Sequence, residues 1–288
     1  MSPANSERFP LVPPPLDSAE ASRRLTSEEI ARFGPDPQAS FAANLADVRS
    51  RIAAACRRSG RNPADVRLLP ISKTVPTEIL RLASRIGIGE VGENKTQEAF
   101  AKHAELADTG LRWTIIGHLQ RNKVKLLTRF ADEFHALDSL RLADALNRRL
   151  ESEGRDLDVF IQVNTSNERS KFGIAPDETM PFITSLSSFP RLRPRGLMTL
   201  ALFSAEAERV RQCFRLLRCL RDRLRDDHPQ MTGLSMGMTD DFEIAVEEGA
   251  TVVRVGRAVF GPRPVGTTTC WPGMVLDANG TKSTGPVS

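Results

Sequence analysis

The chain has 288 residues, of which 40% are hydrophobic and 26% are charged, a composition typical of a soluble globular protein with one large domain or two small ones. No apolar run approaches the roughly 20 residues of a membrane span, and the N-terminus lacks the basic start and apolar core of a secretory signal, so we expect neither. The net charge of +4 is spread along predicted helices, which favours a solvated basic face over a nucleic-acid surface.

The two ends of the chain differ in composition from its middle. Residues 1–37 are rich in proline, serine and charge, which predicts a mostly disordered extension with one helical turn in LTSEEIARF. Residues 267–288 are predicted to form a flexible C-terminal tail. Residues 38–266 are expected to form the folded domain.

Within this domain, helical periodicity alternates with short apolar runs. An amphipathic helix is predicted in ASFAANLADVRSRIAAACRRSG, ahead of the first run. The eight runs in chain order are VRLLPIS, IGIGEVG, LRWTIIG, FHALDS, LDVFIQVN, LRPRGLMTL, MTGLSMG and TVVRVG. Runs this apolar are typical of parallel strands that are covered on both faces.

Eight β/α units in this span predict a single (β/α)8 TIM barrel, with a doubly wound open sheet as the alternative. In such a barrel the chemistry gathers where the strands end, at the C-terminal face. Polar residues at those ends are therefore candidates for a functional site, and polar residues on the outer faces of helices are not.

Lys73 ends the first apolar run, in LLPISKTVP, where a lysine is unusual. An amine among apolar walls is desolvated, which lowers its pKa and makes it a nucleophile for a Schiff base. The alternative is a structural ion pair with Glu93 or Asp138, which follow other strands.

The ends of the seventh and eighth runs supply the parts of a phosphate cradle, namely Ser235, Gly237, Thr239 and Gly256. Glycine lets backbone N–H groups approach an anion, and hydroxyl groups add donors. The alternative is that Thr239 caps the following helix and the glycines only turn the chain. The two aspartates after Thr239 would repel a nearby phosphate.

Arg254 interrupts the last apolar run, TVVRVG, and a buried arginine needs acceptors. It could pair with an acid at a strand end or donate to a ligand atom. A permanently charged arginine beside a pyridine nitrogen would disfavour protonation of that nitrogen. Pyridoxal 5′-phosphate (PLP) has an aldehyde for Lys73, a pyridine nitrogen and a phosphate in one molecule.

Six motifs together resemble the YggS/PROSC family of PLP homeostasis proteins, over roughly residues 40–262. They are LLPISKTVP, VGENKTQEAF, WTIIGHLQRNKVKLL, IQVNTSNERSKFGI, RGLMTL and LSMGMTDDFEIAVEEGATVVRVGRAVFG. The resemblance implies a single barrel like the N-terminal domain of alanine racemase. It implies that Lys73 carries PLP as a Schiff base and that Arg254 faces the pyridine nitrogen. It also implies that the phosphate cradle residues Ser235, Gly237, Thr239 and Gly256 hold the phosphate, with Asn94 near the ring and Met198 lining the pocket.

The resemblance implies a carrier or regulator of PLP supply without robust catalytic turnover, whose partners are PLP and, in this interpretation, apo PLP-dependent enzymes. We expect a monomer. One departure is Lys95, where many members have an aromatic residue. Lys123 matches a family lysine that could bind further PLP, although a solvated helix lysine is the simpler interpretation.

The main alternative is a PLP-dependent racemase. It is disfavoured because the chain contains no tyrosine to act as the second base and lacks the length for the racemase β-domain. His118 could replace that base in principle. A cofactor-free Schiff-base aldolase is a third hypothesis, but it leaves Arg254 and the phosphate cradle unexplained. The four cysteines, at positions 56, 213, 219 and 270, lack metal-type spacing, which favours reduced thiols in a cytoplasmic protein.

Overall fold

Eight parallel strands alternate with helices along the chain. The computed structural model describes residues 25–262 except Arg169, together with Pro264 and two short strands near the C-terminus. The sheet has the order β1-β8-β7-β6-β5-β4-β3-β2. The strands are β1 Arg67–Pro70, β2 Glu90–Glu93, β3 Arg112–Ile115, β4 Glu133–Leu137, β5 Leu157–Gln162, β6 Leu192–Met198, β7 Gly233–Ser235 and β8 Val252–Val255.

A bridge between Ile71 and Gly92 joins β1 to β2, the two ends of the sheet, and thereby closes the barrel. The backbone N–H of Ser72 donates to the carbonyl of Gly92 at 3.0 Å beside this bridge. The predicted (β/α)8 barrel is confirmed, and the alternative of an open doubly wound sheet is wrong.

Helices cover the outside of the barrel. Their bounds are α1 Ser27–Phe33, α2 Pro37–Arg58, α3 Thr77–Arg85, α4 Thr96–Glu105, α5 Val124–Leu127, α6 Leu140–Glu153, α7 Thr179–Ser185, α8 Ala207–Leu224, α9 Phe242–Glu247 and α10 Arg257–Phe260. The longest, α2, buries Phe41, Leu45, Val48 and Ile52, whose spacing of three and four residues puts them on one face. This face packs against α3, α9 and α10.

The N-terminal side of the domain differs from the prediction. Residues 25–37 are folded, since α1 is a two-turn helix with a capping box between Thr26 and Glu29. Phe33 is 3% exposed and packs edge-on against Phe41, with ring centroids 6.0 Å apart. The assignment of residue 37 as the boundary of a disordered extension is therefore corrected to a point before α1. Residues 1–24 lie outside the described residues.

The predicted C-terminal tail lies mostly outside the described residues, and so does Cys270. Two short strands are described there, Val275–Leu276 (β9) and Lys282–Ser283 (β10), which pair antiparallel. In the described part of the chain, Cys56, Cys213 and Cys219 are free thiols. No helix in that part is both long and apolar enough to cross a membrane.

Candidate functional site

Lys73 lies in a tight turn directly after β1. The N–H of Val75 donates to the carbonyl of Ser72 at 2.9 Å, so Lys73 and Thr74 are the two central residues of the turn. Thr74 has a φ of 66°, in the left-handed region that this position of a type II turn normally gives to glycine or asparagine. Lys73 itself is half-buried. The lysine is thus presented by a strained backbone segment.

The two acids considered as partners of Lys73 have other partners. Glu93 is fully buried, and its Oε1 accepts hydrogen bonds of 2.7 Å from both Ser72 Oγ and Lys102 Nζ. Lys102 also donates to the carbonyl of Ser72 at 3.0 Å, so this cluster supports the base of the turn. Asp138 lies 3.3 Å from His118 Nδ1, and burial raises the pKa of Asp138.

The two glycines of the phosphate cradle are closely packed, and at Gly237 there is room only for glycine. Gly237 has a φ of 92°, and a Cβ there would lie 2.5 Å from the Cβ of Ala245. A Cβ on Gly256, the residue before α10, would lie 3.2 Å from the carbonyl oxygen of Ile71. The missing side chains therefore let α9 pack closely on Gly237 and the end of the first strand pack closely on Gly256.

Thr239 does not cap α9, contrary to the sequence-based alternative. The helix begins at Phe242 and Asp241 occupies the cap position, while the Asp241 carboxylate accepts the N–H of Met238 on the other side. Burial raises the pKa of Asp241. The Thr239 hydroxyl is half-buried and makes no hydrogen bond within residues 25–262, so it is available to a ligand.

Arg254 is 2% exposed, in the interior of the barrel. Its Nη1 donates to Ser235 Oγ and its Nη2 to the carbonyl of Thr199, both at 2.8 Å. The predicted alternative of an ion pair with an acid at a strand end is wrong, because a hydroxyl and a carbonyl are the acceptors. Burial lowers the pKa of Arg254 to about 10, which leaves the guanidinium charged at neutral pH.

A chain of buried polar groups extends below Arg254, and sequence reasoning missed it. The polar chain consists of Arg254, Ser235, His135, Glu133 and Arg67. His135 is fully buried, with Nδ1 3.0 Å from Ser235 Oγ and Nε2 2.8 Å from Glu133 Oε2. Arg67, at the start of β1, donates to both oxygens of Glu133. The sequence signal for the polar chain is a histidine inside the apolar run FHALDS, away from the strand ends where a barrel gathers its chemistry.

The hydrogen bonds of the polar chain fix its protonation. Ser235 Oγ accepts from Arg254, so its own proton is free to go to His135 Nδ1, and Nε2–H then donates to Glu133. Burial lowers the pKa of His135 to about 4, in agreement with this neutral ring. Burial acts to raise the pKa of Glu133, but hydrogen bonds from Arg67 and His135 outweigh it and hold that pKa below its usual range.

The predicted site residues occupy one arc of the barrel mouth. The strands β6, β7, β8, β1 and β2 are consecutive in the closed sheet. At or just after their C-terminal ends they carry Met198, Ser235, Gly237, Arg254, Gly256, Lys73 and Asn94, with Thr239 in the loop after β7. Sequence reasoning therefore brought together residues that the fold also brings together. The hydroxyl of Ser235 is directed to Arg254 and His135, so its predicted contact with phosphate stays a prediction.

Comparison with known proteins identifies the family. The family model "Alanine racemase, N-terminal domain" matches residues 43–264. The pyridoxal phosphate homeostasis protein of Escherichia coli is 42% identical over 229 residues, which cover 77% of this chain and 97% of that protein. That of Aquifex aeolicus is 41% identical over 220 residues, covering 76% and 96% respectively. The chain belongs to the pyridoxal phosphate homeostasis protein family. The resemblance seen in the sequence motifs is confirmed.

Solved structures agree with this family assignment. PipY of Synechococcus elongatus, solved with PLP bound, matches with a TM-score of 0.68 at 34% identity and covers 77% of this chain and 100% of PipY. An alanine racemase of Clostridium difficile matches with a TM-score of 0.58 at 16% identity, over 78% of this chain and 56% of the racemase. The racemase likeness shows the fold alone. This chain thus has the barrel of the homeostasis family.

Lys95, the second residue after β2, faces solvent. Its side chain is 67% exposed and pairs with Glu98 at 2.7 Å. It lines a cleft of about 420 Å³ beside Asn94, together with His118 and the half-buried Lys123. The amine of Lys95 therefore lies at the rim of the barrel mouth, and its side chain takes no part in the packing of the barrel.

Proposed function

We propose that this chain binds PLP at the barrel mouth, with Lys73 forming a Schiff base to its aldehyde, and that it serves intracellular PLP homeostasis and supply. The observation that carries the proposal is Arg254, a buried charged guanidinium. It lies on β8 between the phosphate cradle and the strand that precedes Lys73. The names of the curated relatives and the PLP-bound PipY structure support it.

The described residues fit PLP. The bare backbones at Gly237 and Gly256, with the available hydroxyl of Thr239, are suited to a phosphate group. Arg254 cannot accept a hydrogen bond, so a pyridine nitrogen facing it would stay unprotonated. Bound PLP would supply an electron-withdrawing ring and an aldehyde. An unprotonated ring nitrogen weakens the electron withdrawal on which catalysis at Cα depends, which favours holding over turnover.

We propose a carrier in preference to an enzyme. A racemase needs a base on each face of the substrate, and this chain has no tyrosine to provide the second one. His118 is the remaining candidate base near the mouth. Its ring stacks on Phe172, with centroids 3.9 Å apart, and it contacts Asp138, so a structural role is favoured. Deuterium exchange at Cα of alanine in the presence of the protein would favour the racemase alternative.

The experiment that tests PLP binding is the visible spectrum of the purified protein before and after borohydride reduction, followed by peptide mapping. We expect a pyridoxyl group on Lys73 in the wild-type chain. Lys73→Ala should lose the covalent attachment and keep its fold, because the half-buried side chain leaves the turn's backbone hydrogen bonds intact. Lys95→Ala is the matched control and should label like the wild type.

A colourless protein that added PLP cannot label would contradict the proposal and make the cofactor-free aldolase the leading hypothesis. Labelling that persists in Lys73→Ala would transfer the role to another lysine of the mouth, such as Lys123.

We further propose that the protein is a cytoplasmic monomer that passes PLP to apo PLP-dependent enzymes. Mixing the loaded protein with such an apo-enzyme, with a phosphatase present to remove free PLP, tests the transfer. Recovery of enzyme activity under these conditions supports direct supply, and recovery only without the phosphatase argues for simple release. Light scattering coupled to gel filtration tests the monomer.

A further inference from the structure

The turn that carries Lys73 needs support from outside the strand. Thr74 has a β-branched side chain, and such residues rarely adopt its φ of 66°. Residues held in sparsely populated backbone regions persist only where their surroundings fix them. Lys102 supports the turn at Ser72, but it does not contact Thr74.

The support for Thr74 comes from Arg32, at the C-terminal end of α1. Its Nη1 donates to the carbonyl of Thr74 at 2.6 Å and its Nη2 to the hydroxyl of the same residue at 2.9 Å. Its Nε donates to the carbonyl of Pro262, just beyond α10, at 2.8 Å. One guanidinium therefore joins the turn after β1 to the segment that follows β8 and α10. The planar fork of arginine is suited to holding two groups in a fixed geometry.

Arg32 is itself held in place by α1. Its guanidinium lies 4.5 Å from the ring centroid of Phe33, and Phe33 is buried against Phe41. The next ring in this stack, Phe260 of α10, lies 5.4 Å from Phe41. The helix α1 precedes residue 43, where the match to the family domain begins. A segment ahead of the residues that match the family model thus contacts the residue next to Lys73.

We propose that α1 is a latch on the Lys73 turn, with Arg32 as a positioning residue that keeps Lys73 in its PLP-binding conformation and slows the release of PLP. This inference rests on the proposed function. Arg32 acts through Thr74. When the latch is displaced, the turn is free to leave its strained conformation, and the fraction of molecules competent to hold PLP falls.

The first test compares PLP release from the full-length chain with that from two Arg→Gln variants. Arg32→Gln removes the latch contact, and Arg49→Gln is the matched control because Arg49 is exposed on α2 and its side chain makes no hydrogen bond or ion pair within residues 25–262. We expect Arg32→Gln to release PLP on the order of tenfold faster, the effect of losing one charge-assisted contact that biases a turn. Arg49→Gln should match the wild type.

Two substitutions at Thr74 test whether Arg32 acts on the Lys73 turn through Thr74. Thr74→Val keeps the shape but removes the hydroxyl that Arg32 contacts, and Thr74→Ser keeps the hydroxyl. We expect faster release from Thr74→Val than from Thr74→Ser. In the double variant with Arg32→Gln, Thr74→Val should add little, because the two changes remove the same hydrogen bond.

Hydrogen exchange of the PLP-free protein distinguishes a local effect of Arg32 on the Lys73 turn from a general effect on the stability of the barrel. Arg32→Gln should speed exchange in the peptide containing residues 72–75 and leave β4 to β6 unchanged. Faster exchange throughout the barrel with unchanged PLP release would overturn the proposal, as would wild-type release from Arg32→Gln. If the wild-type chain binds no PLP, the proposed function fails, and the exchange measurement alone decides whether Arg32 holds the turn.

Discussion

Ser235 links two buried groups, Arg254 and His135, each of which has one further hydrogen-bond partner. Its single hydroxyl accepts from Arg254 and faces His135, so it gives a charged donor an acceptor and a neutral ring a donor. Neither partner is exposed to solvent by more than 2%. The hydroxyl therefore stabilises the folded state from inside the barrel, whether or not a ligand is bound at the barrel mouth.

We expect Ser235→Ala to lower the free energy of unfolding by about 1–3 kcal/mol, because two buried polar groups lose a partner and no water replaces it. Urea denaturation of the PLP-free protein measures the change. Ser152→Ala is the control, since Ser152 is exposed and its hydroxyl only contacts a carbonyl of its own helix. Equal stabilities for the two variants would contradict the role assigned to Ser235.

Gly237 fixes the conformation of the turn between β7 and α9, and this turn determines where α9 begins. It combines a positive φ with close contact to Ala245 and Phe242 of α9, and its carbonyl accepts the N–H of Arg254. Any side chain here would push α9 away from the phosphate cradle. The same residue therefore fixes both the position of α9 and the path of the chain through the phosphate cradle.

Gly237→Ala and Gly110→Ala provide a matched pair of variants. Both glycines have positive φ, of 92° and 67°, but no atom lies within 4 Å of a Cβ at Gly110. Gly110→Ala should cost about 1–2 kcal/mol for backbone strain alone. Gly237→Ala should cost about 1–3 kcal/mol more because of overpacking against α9. Denaturation curves measure both changes in the free energy of unfolding. Equal costs would show that α9 shifts to accommodate the added Cβ without further loss of stability.

Much of the element order was predictable because each β/α unit has a strong local signal. The eight strands follow from apolar runs, and the barrel follows from their number and alternation with helices. For α1 the sequence predicted only one helical turn, in LTSEEIARF, within an otherwise disordered extension. Proline and serine around it indicate disorder, whereas its stability comes from Phe33 against Phe41 and from Arg32 against Thr74, 42 positions away. Contacts over that distance leave no periodic trace in a sequence.

In the candidate site, too, residues that stand out within their own segment were predictable, and residues whose role depends on distant partners were not. Lys73, Gly237 and Arg254 were identified because a residue type stood out against its own run or turn. His135 and Glu133 were missed because a polar residue inside a strand has meaning only through its partners on other strands. The protein partner of Arg254 was unpredictable for that reason, since the alternative to a ligand atom was an acid at a strand end and the hydroxyl of Ser235 is the acceptor.

At the scale of the whole molecule, His135 makes the free energy of unfolding depend on pH. The pKa of the buried ring is lowered to about 4, whereas the unfolded chain titrates near 6.5. Between these values the unfolded state binds a proton that the folded state does not, so stability falls as the pH drops through the window. The loss is complete near pH 4 and amounts to up to about 3 kcal/mol.

We expect His135→Gln to flatten this dependence between pH 6.5 and 5, where the carboxylates of the unfolded chain are still largely ionised. Urea denaturation at a series of pH values measures it. His228→Gln, in the loop after α8, is the control and should keep the wild-type slope. An unchanged slope in His135→Gln would assign the acid sensitivity to other groups, with the Glu133–Arg67 pair the first to examine.

The closure of the barrel is uneven around its circumference. Strands β5 and β6 pair over six residues, whereas β7 and β8 pair only at Ser235 and Val252, and β1 and β2 meet through one bridge, between Ile71 and Gly92. Local opening favours segments with few shared hydrogen bonds, and here one such segment adjoins Lys73 and the other adjoins the phosphate cradle. A ligand held jointly by Lys73 and the phosphate cradle would therefore brace the barrel beside both of these short junctions. Departure of that ligand and loosening of the two junctions are then a single local event, which the rest of the fold survives intact.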